Sequence, residues 1–332
     1  MSHTIIVGVD GSDNSQCALQ WAITHAKRTS SDIRLVAAYT VPGVNMSQAD
    51  IVYPADFDAV VKKSFQHLAE VNAKVVTDAG VPASTMIFPG DASGVLIENS
   101  KNADLAVIGA RGRGGFAGRL LGSVALAMPA HSHCPTVVIP STWPKRTKPE
   151  RPVPVDLPIR SSQKQGQGQG QSIASTSDQA RPDFSNQIVA GVDPFETDSP
   201  VFRDAALQAQ LFGLPLHLVG ITTTHVLSPE WLPSESHLVK MYDEAAATTE
   251  TAVAALVEEF PELDVRWSIF DAPATEVLTS ATYTAELMVI GSRGRGGFAS
   301  TILGSTSQGV LSHSMCPTRV VRVNRRKAAK KR

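Results

Sequence analysis

The sequence predicts an α/β protein made of two tandem copies of one domain. Each copy is a doubly wound, mostly parallel five-stranded sheet sandwiched by helices in a Rossmann-like arrangement. The 332 residues have the length of two domains. Residues 107–117 (VIGARGRGGFA) recur at 289–299 as VIGSRGRGGFA, with ten of the eleven positions identical, which indicates an internal repeat. In each copy short apolar runs alternate with amphipathic stretches, as is typical of a parallel sheet with right-handed helical crossovers.

The first copy contains five predicted strands and four predicted helices. Residues 5–9 form a short apolar run, and residues 15–28 carry apolar side chains at helical spacing. Residues 105–108 are apolar throughout, which predicts a central strand buried on both faces. The elements follow in the order strand 5–9, helix 15–28, strand 33–40, helix 57–79 with Gly80 beyond its end, strand 84–88, helix 95–101, strand 105–108, a helix after Gly122, and strand 136–139.

The second copy repeats this order, with predicted strands at 188–192, 216–221, 265–270, 287–290 and 318–322. Between the copies, prolines up to Pro158 and then the run QKQGQGQGQ lack periodic apolar residues. Such a segment cannot bury enough surface to offset the entropy of ordering it, so it is predicted to be a flexible tether. The predicted organisation is a first domain at 1–141, a linker at 142–186, a second domain at 187–324 and a basic tail at 325–332.

Composition and charge exclude several classes of protein. Hydrophobic residues make up 42% and charged residues 18%, with a mean hydropathy of −0.02, which excludes collagen-like, wholly disordered and multispanning membrane chains. The net charge is −1, but the last eight residues carry six basic side chains, so the rest of the chain is acidic. An acidic body argues against a nucleic-acid partner.

The cysteines and the beginning of the chain bear on its compartment. Cys17, Cys134 and Cys316 are too few for a disulfide framework, and the first residues contain no apolar run of signal-peptide length. No stretch approaches the roughly 20 apolar residues that span a bilayer. We therefore expect a cytoplasmic protein with no membrane partner.

A glycine-rich loop follows the fourth predicted strand of each copy, where ligands bind in open parallel sheets. In both loops two glycines three residues apart are followed after nine residues by Gly-Ser. Glycines let the backbone approach a ligand closely, and the serine is expected to cap the next helix, whose amide groups and dipole favour an anion. Arginines in the loop suit bidentate phosphate contacts. The residues are Gly109, Arg111, Gly112, Arg113, Gly122 and Ser123, and Gly291, Arg293, Gly294, Arg295, Gly304 and Ser305.

An alternative is that each glycine-rich turn only joins a strand to a helix, with its arginines in solvent. The retention of loop and spacing in two copies whose flanking segments differ favours phosphate binding. Other phosphate loops do not fit, because the chain has no G-x-x-x-x-G-K-[ST], and Gly112-x-Gly114 is followed by Ala117 where the dinucleotide fingerprint requires glycine.

These features together resemble the universal stress protein family in its tandem-domain form. The resemblance rests on Gly-Val-Asp-Gly-Ser at 8–12, the strand and helix order, the two G-x2-G-x9-G-S patterns, and Cys-Pro-Thr before each last strand. It covers both domains but neither the linker nor the tail. It implies ATP, together with Mg²⁺, held between the end of the first strand and the glycine loop. It also implies slow hydrolysis at most and a regulatory role in stress or dormancy.

The resemblance also implies a set of nucleotide-binding residues. Asp10 and Asp193 would lie at the nucleotide, and the backbone near Ala38 and Ile221 would meet adenine. Gly11 and Ser12, next to Asp10, also belong to the set. The remaining residues would hold the ribose and phosphates: Gly109, Arg111, Gly112, Gly122, Ser123 and Val124 in the first copy, and Gly291, Arg293, Gly294, Gly304, Ser305 and Thr306 in the second. The second copy departs from the pattern, since Gly11-Ser12 is replaced by Pro194-Phe195 and Gly90 by Ala272.

Other interpretations stay open at this point. Asp10 could cap the helix that follows it. The protein could be an ATP hydrolase or phosphotransferase that uses Asp10 or Asp193 with Mg²⁺, although the glycine loops offer no base. It could also be a ligand-free interaction module, because the apolar last strands would be edges able to pair. We expect the two domains to pair within the chain, and leave a further homodimer open. His131, His133 and Cys134 are interpreted as a packed turn, not a metal site.

Overall fold

The computed structural model describes residues 3–40, 57–112, 121–144, 158–162, 183–224, 233–293 and 303–323, with the backbone alone at 57 and 58. The described chain forms two compact units, Met1–Pro144 and Lys145–Arg332. Each unit is a parallel sheet with helices, which confirms the predicted fold class. No helix in these ranges is long and apolar enough to cross a membrane.

The first unit has a five-stranded parallel sheet in the order β3-β2-β1-β4-β5. Strand β1 pairs on one side with β2 and on the other with β4, so the direction of winding reverses between β1 and β4. The elements are β1 Thr4–Gly8, α1 Asp13–Thr29, β2 Asp32–Tyr39, α2 Phe57–Asp78, β3 Ala83–Pro89, α3 Ala92–Asn99, a 3₁₀ turn at Ser100–Asn102, β4 Leu105–Gly109, α4 Ser123–His131 and β5 Thr136–Ile139.

The second unit repeats this topology and adds one short antiparallel strand at its edge. The order is β11-β10-β7-β8-β9-β6, and the reversal lies between β7 and β10. The elements are β6 Arg160–Ser161, β7 Ile188–Val192, α5 Pro200–Phe212, β8 Leu216–Thr222, α6 Glu235–Glu259, β9 Val265–Asp271, α7 Ala274–Ala281, β10 Leu287–Gly291, α8 Ser305–His313 and β11 Thr318–Val321.

The central strands carry the core, as their apolar runs predict. Ile6 and Val7 of β1 and Val107 of β4 have no exposed surface, and neither have Val189 of β7 and Val289 of β10. Helix α2 ends at Asp78 and the chain turns at Gly80, whose φ is +81°. Glycine adopts this left-handed conformation without strain, which confirms the predicted helix end.

Part of the predicted linker differs from the flexible tether that its composition indicates. Residues 158–162 run antiparallel to β9: the Ile159 amide donates to the Ile269 carbonyl at 2.7 Å, and the Ser162 amide donates to the Trp267 carbonyl at 3.0 Å. Arg160 binds Asp243 of α6, with Nη2 to Oδ1 at 2.9 Å. Edge-strand hydrogen bonds order a segment that has no apolar periodicity of its own. Residues 163–182 and the basic tail at 325–332 lie outside the described ranges.

Candidate functional site

Each unit has a cleft at the carboxyl ends of the two strands between which the winding reverses, where α/β sheets bind ligands. The cleft has a volume of ≈ 440 Å³ in the first unit and ≈ 430 Å³ in the second. Both volumes lie within the range of small-molecule sites.

The first cleft contains eight of the ten residues predicted for it. The loop after β1 and the end of β2 form one wall, the end of β4 and the start of α4 form the other, and Phe65 of α2 and Leu96 of α3 add apolar surface. The eight predicted residues that line it are Asp10, Ala38, Gly109, Arg111, Gly112, Gly122, Ser123 and Val124. The other two, Gly11 and Ser12, build the turn that presents Asp10.

That turn is held by Asp10 itself. Oδ1 of Asp10 accepts hydrogen bonds from the Ser12 amide at 3.0 Å and from the Ser12 hydroxyl at 2.6 Å. Gly11 between them has a φ of +80°, which glycine tolerates. Ser12 is the N-cap of α1, since its side chain accepts from the Ser15 amide. The interpretation of Asp10 as the cap is therefore wrong, and Asp10 is a cleft residue that also orients the cap.

Two of the loop glycines are required for different physical reasons. A methyl group on Gly112 would lie 2.5 Å from Oδ2 of Asp10, so the glycine allows the loop after β4 to approach the loop after β1. A methyl group on Gly109 would lie 2.8 Å from backbone atoms of Asn14. Gly109 is therefore explained by the packing of α1 against β4, whereas Gly112 shapes the cleft.

Helix α4 begins at the cleft with a glycine, not a serine, as its N-cap. Gly122 holds the cap position without a side-chain hydrogen bond, and its amide donates to the Ala110 carbonyl at 2.9 Å. Ser123 is the first helical residue and is exposed. Gly304 and Ser305 take the same positions at α8. The expectation that the two serines cap these helices is wrong, because the preceding glycine already has the extended cap conformation.

The second cleft brings together five of the predicted residues: Asp193, Ile221, Gly291, Arg293 and Thr306. The Phe195 amide donates to Oδ1 of Asp193 at 3.0 Å, as the Ser12 amide does to Asp10. Helix α5 begins at Pro200, so the loop after Asp193 is longer than the loop after Asp10, as expected. Gly304 and Ser305 begin α8 beside the cleft, and Gly294 lies outside the described residues.

A polar cluster beside the second cleft was missed by the sequence analysis. Asp271, at the end of β9, accepts hydrogen bonds from the Thr224 amide at 2.8 Å and from the Tyr242 hydroxyl at 2.9 Å. The hydroxyls of Thr222 and Thr224 also donate to it. Thr222, Thr223 and Thr224 all line the cleft. An aspartate at the carboxyl end of a parallel strand is the signal that could have identified this cluster.

These contacts shift two pKa values. Burial alone would raise the pKa of Asp271, but the hydrogen bonds from Thr224, Tyr242 and Thr222 lower it below its usual value. Burial raises the pKa of Tyr242, and the neighbouring Asp271 carboxylate adds to this rise. Asp271 is therefore ionised and Tyr242 neutral at pH 7, which fixes the Thr222–Thr224 backbone at the cleft.

No metal cluster of three or more His, Cys, Asp or Glu side chains occurs within the described ranges. The turn that contains His133 is packed instead: its amide donates to the Ser100 hydroxyl at 2.9 Å. The corresponding amide of Met315 donates to the Thr282 hydroxyl at 3.0 Å. The same bond in both units supports the interpretation of this segment as a packed turn.

Comparison with known proteins identifies similar sequences. The model of the universal stress protein family matches residues 1–140 and 185–322. The universal stress protein Rv2623 of Mycobacterium tuberculosis is 27% identical over 328 residues, which cover 96% of each chain. A universal stress protein of Mycolicibacterium smegmatis is 25% identical over 329 residues, which cover 96% of this chain and 97% of that protein.

A solved structure agrees with the fold. The crystal structure of a universal stress protein from Archaeoglobus fulgidus superposes with a TM-score of 0.61 at 17% identity, covering 98% of each chain. At this identity the likeness supports the fold alone. The family model, however, matches most of the sequence in two stretches that coincide with the two repeats. The chain therefore belongs to the universal stress protein family and contains two domains of that family in tandem.

Proposed function

We propose that the protein is an ATP-binding regulatory protein of the stress response, which holds an adenine nucleotide in the cleft of each domain with slow hydrolysis or none. The observation that carries the proposal is the first cleft. There the loop after β1, the glycine loop and the start of α4, whose N-cap makes no side-chain hydrogen bond, line one space of ≈ 440 Å³.

The lining of the first cleft offers both kinds of surface that a nucleotide requires. Arg111 and the first amides of α4 offer positive charge and donors for phosphate oxygens. Ala38, Phe65 and Leu96 offer an apolar surface for a base. Asp10 also lines the cleft and can accept a hydrogen bond from a ribose hydroxyl. Mg²⁺ would enter with the phosphates of ATP and would neutralise part of their charge.

Fast hydrolysis does not fit the described lining of the first cleft. Its one carboxylate is Asp10, whose Oδ1 already accepts two hydrogen bonds from Ser12. Phosphoryl transfer needs a residue that positions or deprotonates the nucleophile. We expect turnover of ATP below about 1 s⁻¹, the lower end of typical enzyme rates. Sustained turnover above this rate in a phosphate-release assay would favour the alternative of a hydrolase or phosphotransferase.

Substitution of Gly112 by alanine tests the nucleotide site. Its methyl group would lie 2.5 Å from Oδ2 of Asp10, so either the loop or Asp10 must move. We expect affinity for ATP with Mg²⁺ at the first cleft to fall about tenfold or more, which is about 1.4 kcal/mol. Isothermal titration calorimetry on the full chain measures this change.

Gly94→Ala is the matched control. Its added methyl group has no neighbour closer than 3.7 Å, so it should leave ATP affinity unchanged. Equal affinity of Gly112→Ala and the wild type would contradict the site assignment. Failure of the wild type to bind ATP and Mg²⁺ at millimolar concentration in equilibrium dialysis would contradict the proposed function as a whole.

The proposal includes pairing of the two domains within the chain. Strand β5 pairs with β4 and strand β11 with β10, so each is the last strand in the parallel part of its own domain's sheet. Edge strands of this kind offer unpaired backbone groups to a partner strand. After a proteolytic cut within 163–171, sedimentation should find the two halves together; halves that separate freely would contradict the pairing. A further homodimer would appear as twice the chain mass.

A cytoplasmic location is part of the same proposal. Cys17, Cys134 and Cys316, all within the described ranges, form no disulfide, and cysteines without disulfides are typical of a reducing compartment. Cell fractionation followed by immunodetection tests this location.

A further inference from the structure

The two clefts differ in the loop that follows the first strand of each domain. In the first domain Asp10 is followed by Gly11 and Ser12, and in the second Asp193 is followed by Pro194 and Phe195. Pro194 has no amide hydrogen and packs against β8, where a methyl group on Gly220 would lie 2.9 Å from its Cβ. The changed loop therefore removes one backbone donor and is fixed against the sheet.

The same loop brings an additional carboxylate to the second cleft. Its charged lining residues are Asp193, Glu196 and Arg293, whereas those described for the first cleft are Asp10 and Arg111. The glycine loops themselves carry arginines at the same positions in both copies. The second cleft thus has one more negative charge, and this charge disfavours a ligand in proportion to the ligand's own negative charge.

The second cleft also has more hydroxyl groups. Three hydroxyl-bearing residues line the first cleft and six line the second. Thr222 and Thr224 already donate their hydroxyl hydrogens to Asp271. Ser307 likewise donates its hydroxyl hydrogen to the Gly291 carbonyl. These three hydroxyl oxygens can therefore only accept hydrogen bonds from a ligand. Carboxylates accept hydrogen bonds from hydroxyl and amino groups, whereas ionised phosphate oxygens can only accept. The lining of the second cleft therefore suits sugar hydroxyls and a base better than a chain of phosphates.

We propose that the second cleft takes a nucleoside that carries at most one phosphate, in preference to a nucleoside triphosphate. The first cleft takes the triphosphate. This inference rests on the proposed function, that both clefts bind adenine nucleotides, and it assigns different ligands to the two domains. Glu196 is the residue that sets the preference, and Arg293 provides for the single phosphate.

Native mass spectrometry of the full chain tests the preference in a mixture of ATP and AMP at equal concentration without Mg²⁺. The dominant loaded species of the wild type should carry one ATP and one AMP. Glu196→Gln should shift the occupancy of the second cleft towards ATP by about tenfold, because it removes one repelling charge and keeps the shape. The matched control Glu262→Gln changes an exposed carboxylate outside the cleft and should load as the wild type does.

The possible loadings separate the two proposals. A wild type that carries two ATP, or ATP alone, overturns the preference and leaves nucleotide binding intact. A Glu196→Gln variant that loads as the wild type also overturns it, and circular dichroism checks that this variant is folded. The dialysis with ATP and Mg²⁺ separately decides whether the protein binds nucleotide at all.

Discussion

His217 is a buried histidine whose neutral form the second domain requires. Its Nδ1 lies 3.0 Å from Oε1 of Gln187 and its Nε2 lies 2.9 Å from Oγ of Ser268. The amide oxygen can only accept, so Nδ1 donates to it and Nε2 accepts from the serine hydroxyl. Burial, and secondarily the charge of Arg266, lower the pKa of His217 from 6.5 to about 4.

Acid should therefore destabilise the second domain. Between pH 6.5 and about 4 the unfolded chain binds a proton at this position that the folded protein does not. The free energy of unfolding thus falls as the pH falls, by up to about 3 kcal/mol. Urea unfolding measured from pH 8 to pH 4 gives this slope. His217→Gln removes the titrating group and should flatten the slope; an equally steep slope in that variant would show that other groups cause it.

Single residues differ in how far the sequence alone could place them. The position of Asp10 and Gly112 at one cleft could be predicted. Each follows a strand of the predicted sheet, and the pattern around each recurs in the second copy. The cluster around Asp271 could be predicted only in part. The aspartate at the end of a strand indicates it, but its partners Thr224 and Tyr242 belong to other elements and have no counterpart pattern in the first copy. The prediction that Ser123 and Ser305 cap their helices was wrong because the preceding glycine occupies the N-cap position.

Packing of helix α5 on strand β11 includes an ion pair that the first domain lacks. Arg319 Nε lies 2.5 Å from Oδ1 of Asp204, and their side chains are 8% and 14% exposed. Trp21 and Val137 occupy the corresponding positions of the first domain. The same contact between helix and strand is therefore apolar in one copy and ionic in the other.

Removal of one partner of this ion pair should destabilise the second domain. Asp204→Leu leaves the Arg319 guanidinium buried without its carboxylate, and we expect the second domain to lose about 3–5 kcal/mol of stability. The double variant Asp204→Leu with Arg319→Val makes the contact apolar, as in the first domain, and should recover most of this loss. Thermal or urea unfolding measures both. A double variant as unstable as the single one would mean that the pair itself, and not the isolated charge, determines stability.

The order of the elements could be predicted almost completely, because apolar periodicity is a local property of each segment and the repeat supplies a second copy of every pattern. Strand β6 was not predicted, since a two-residue strand has no periodicity. It is held by backbone hydrogen bonds to β9, and those depend on an edge that exists only after the sheet has formed. The ion pair of Arg319 with Asp204 joins residues 115 positions apart, so no local pattern indicates it.

For the molecule as a whole, β6 means that the second structural unit begins within the segment predicted as a linker. A fragment of residues 183–332 lacks β6 and leaves the β9 edge unpaired, whereas a fragment of residues 155–332 keeps it. The lost contacts include the two backbone hydrogen bonds of Ile159 and Ser162. They also include the bond from the Trp267 amide to the Ser162 hydroxyl and the bonds of Arg160 to Asp243. Each hydrogen bond has a net value of about 0.5–1.5 kcal/mol, partly offset by the entropy of ordering the strand.

We therefore expect the shorter fragment to be less stable than the longer one by about 1–2 kcal/mol. It should also associate more readily, because an open edge pairs with other chains. Urea unfolding gives the first quantity and sedimentation velocity the second. A control fragment of residues 155–332 with Arg160→Ala keeps the backbone bonds and loses only the side-chain contacts of Arg160 with Asp243 and with the Ile159 carbonyl. Its effect on stability should be smaller, and it should not change association. If the two parent fragments have equal stability and the same association state, β6 contributes nothing and the second domain begins near residue 183.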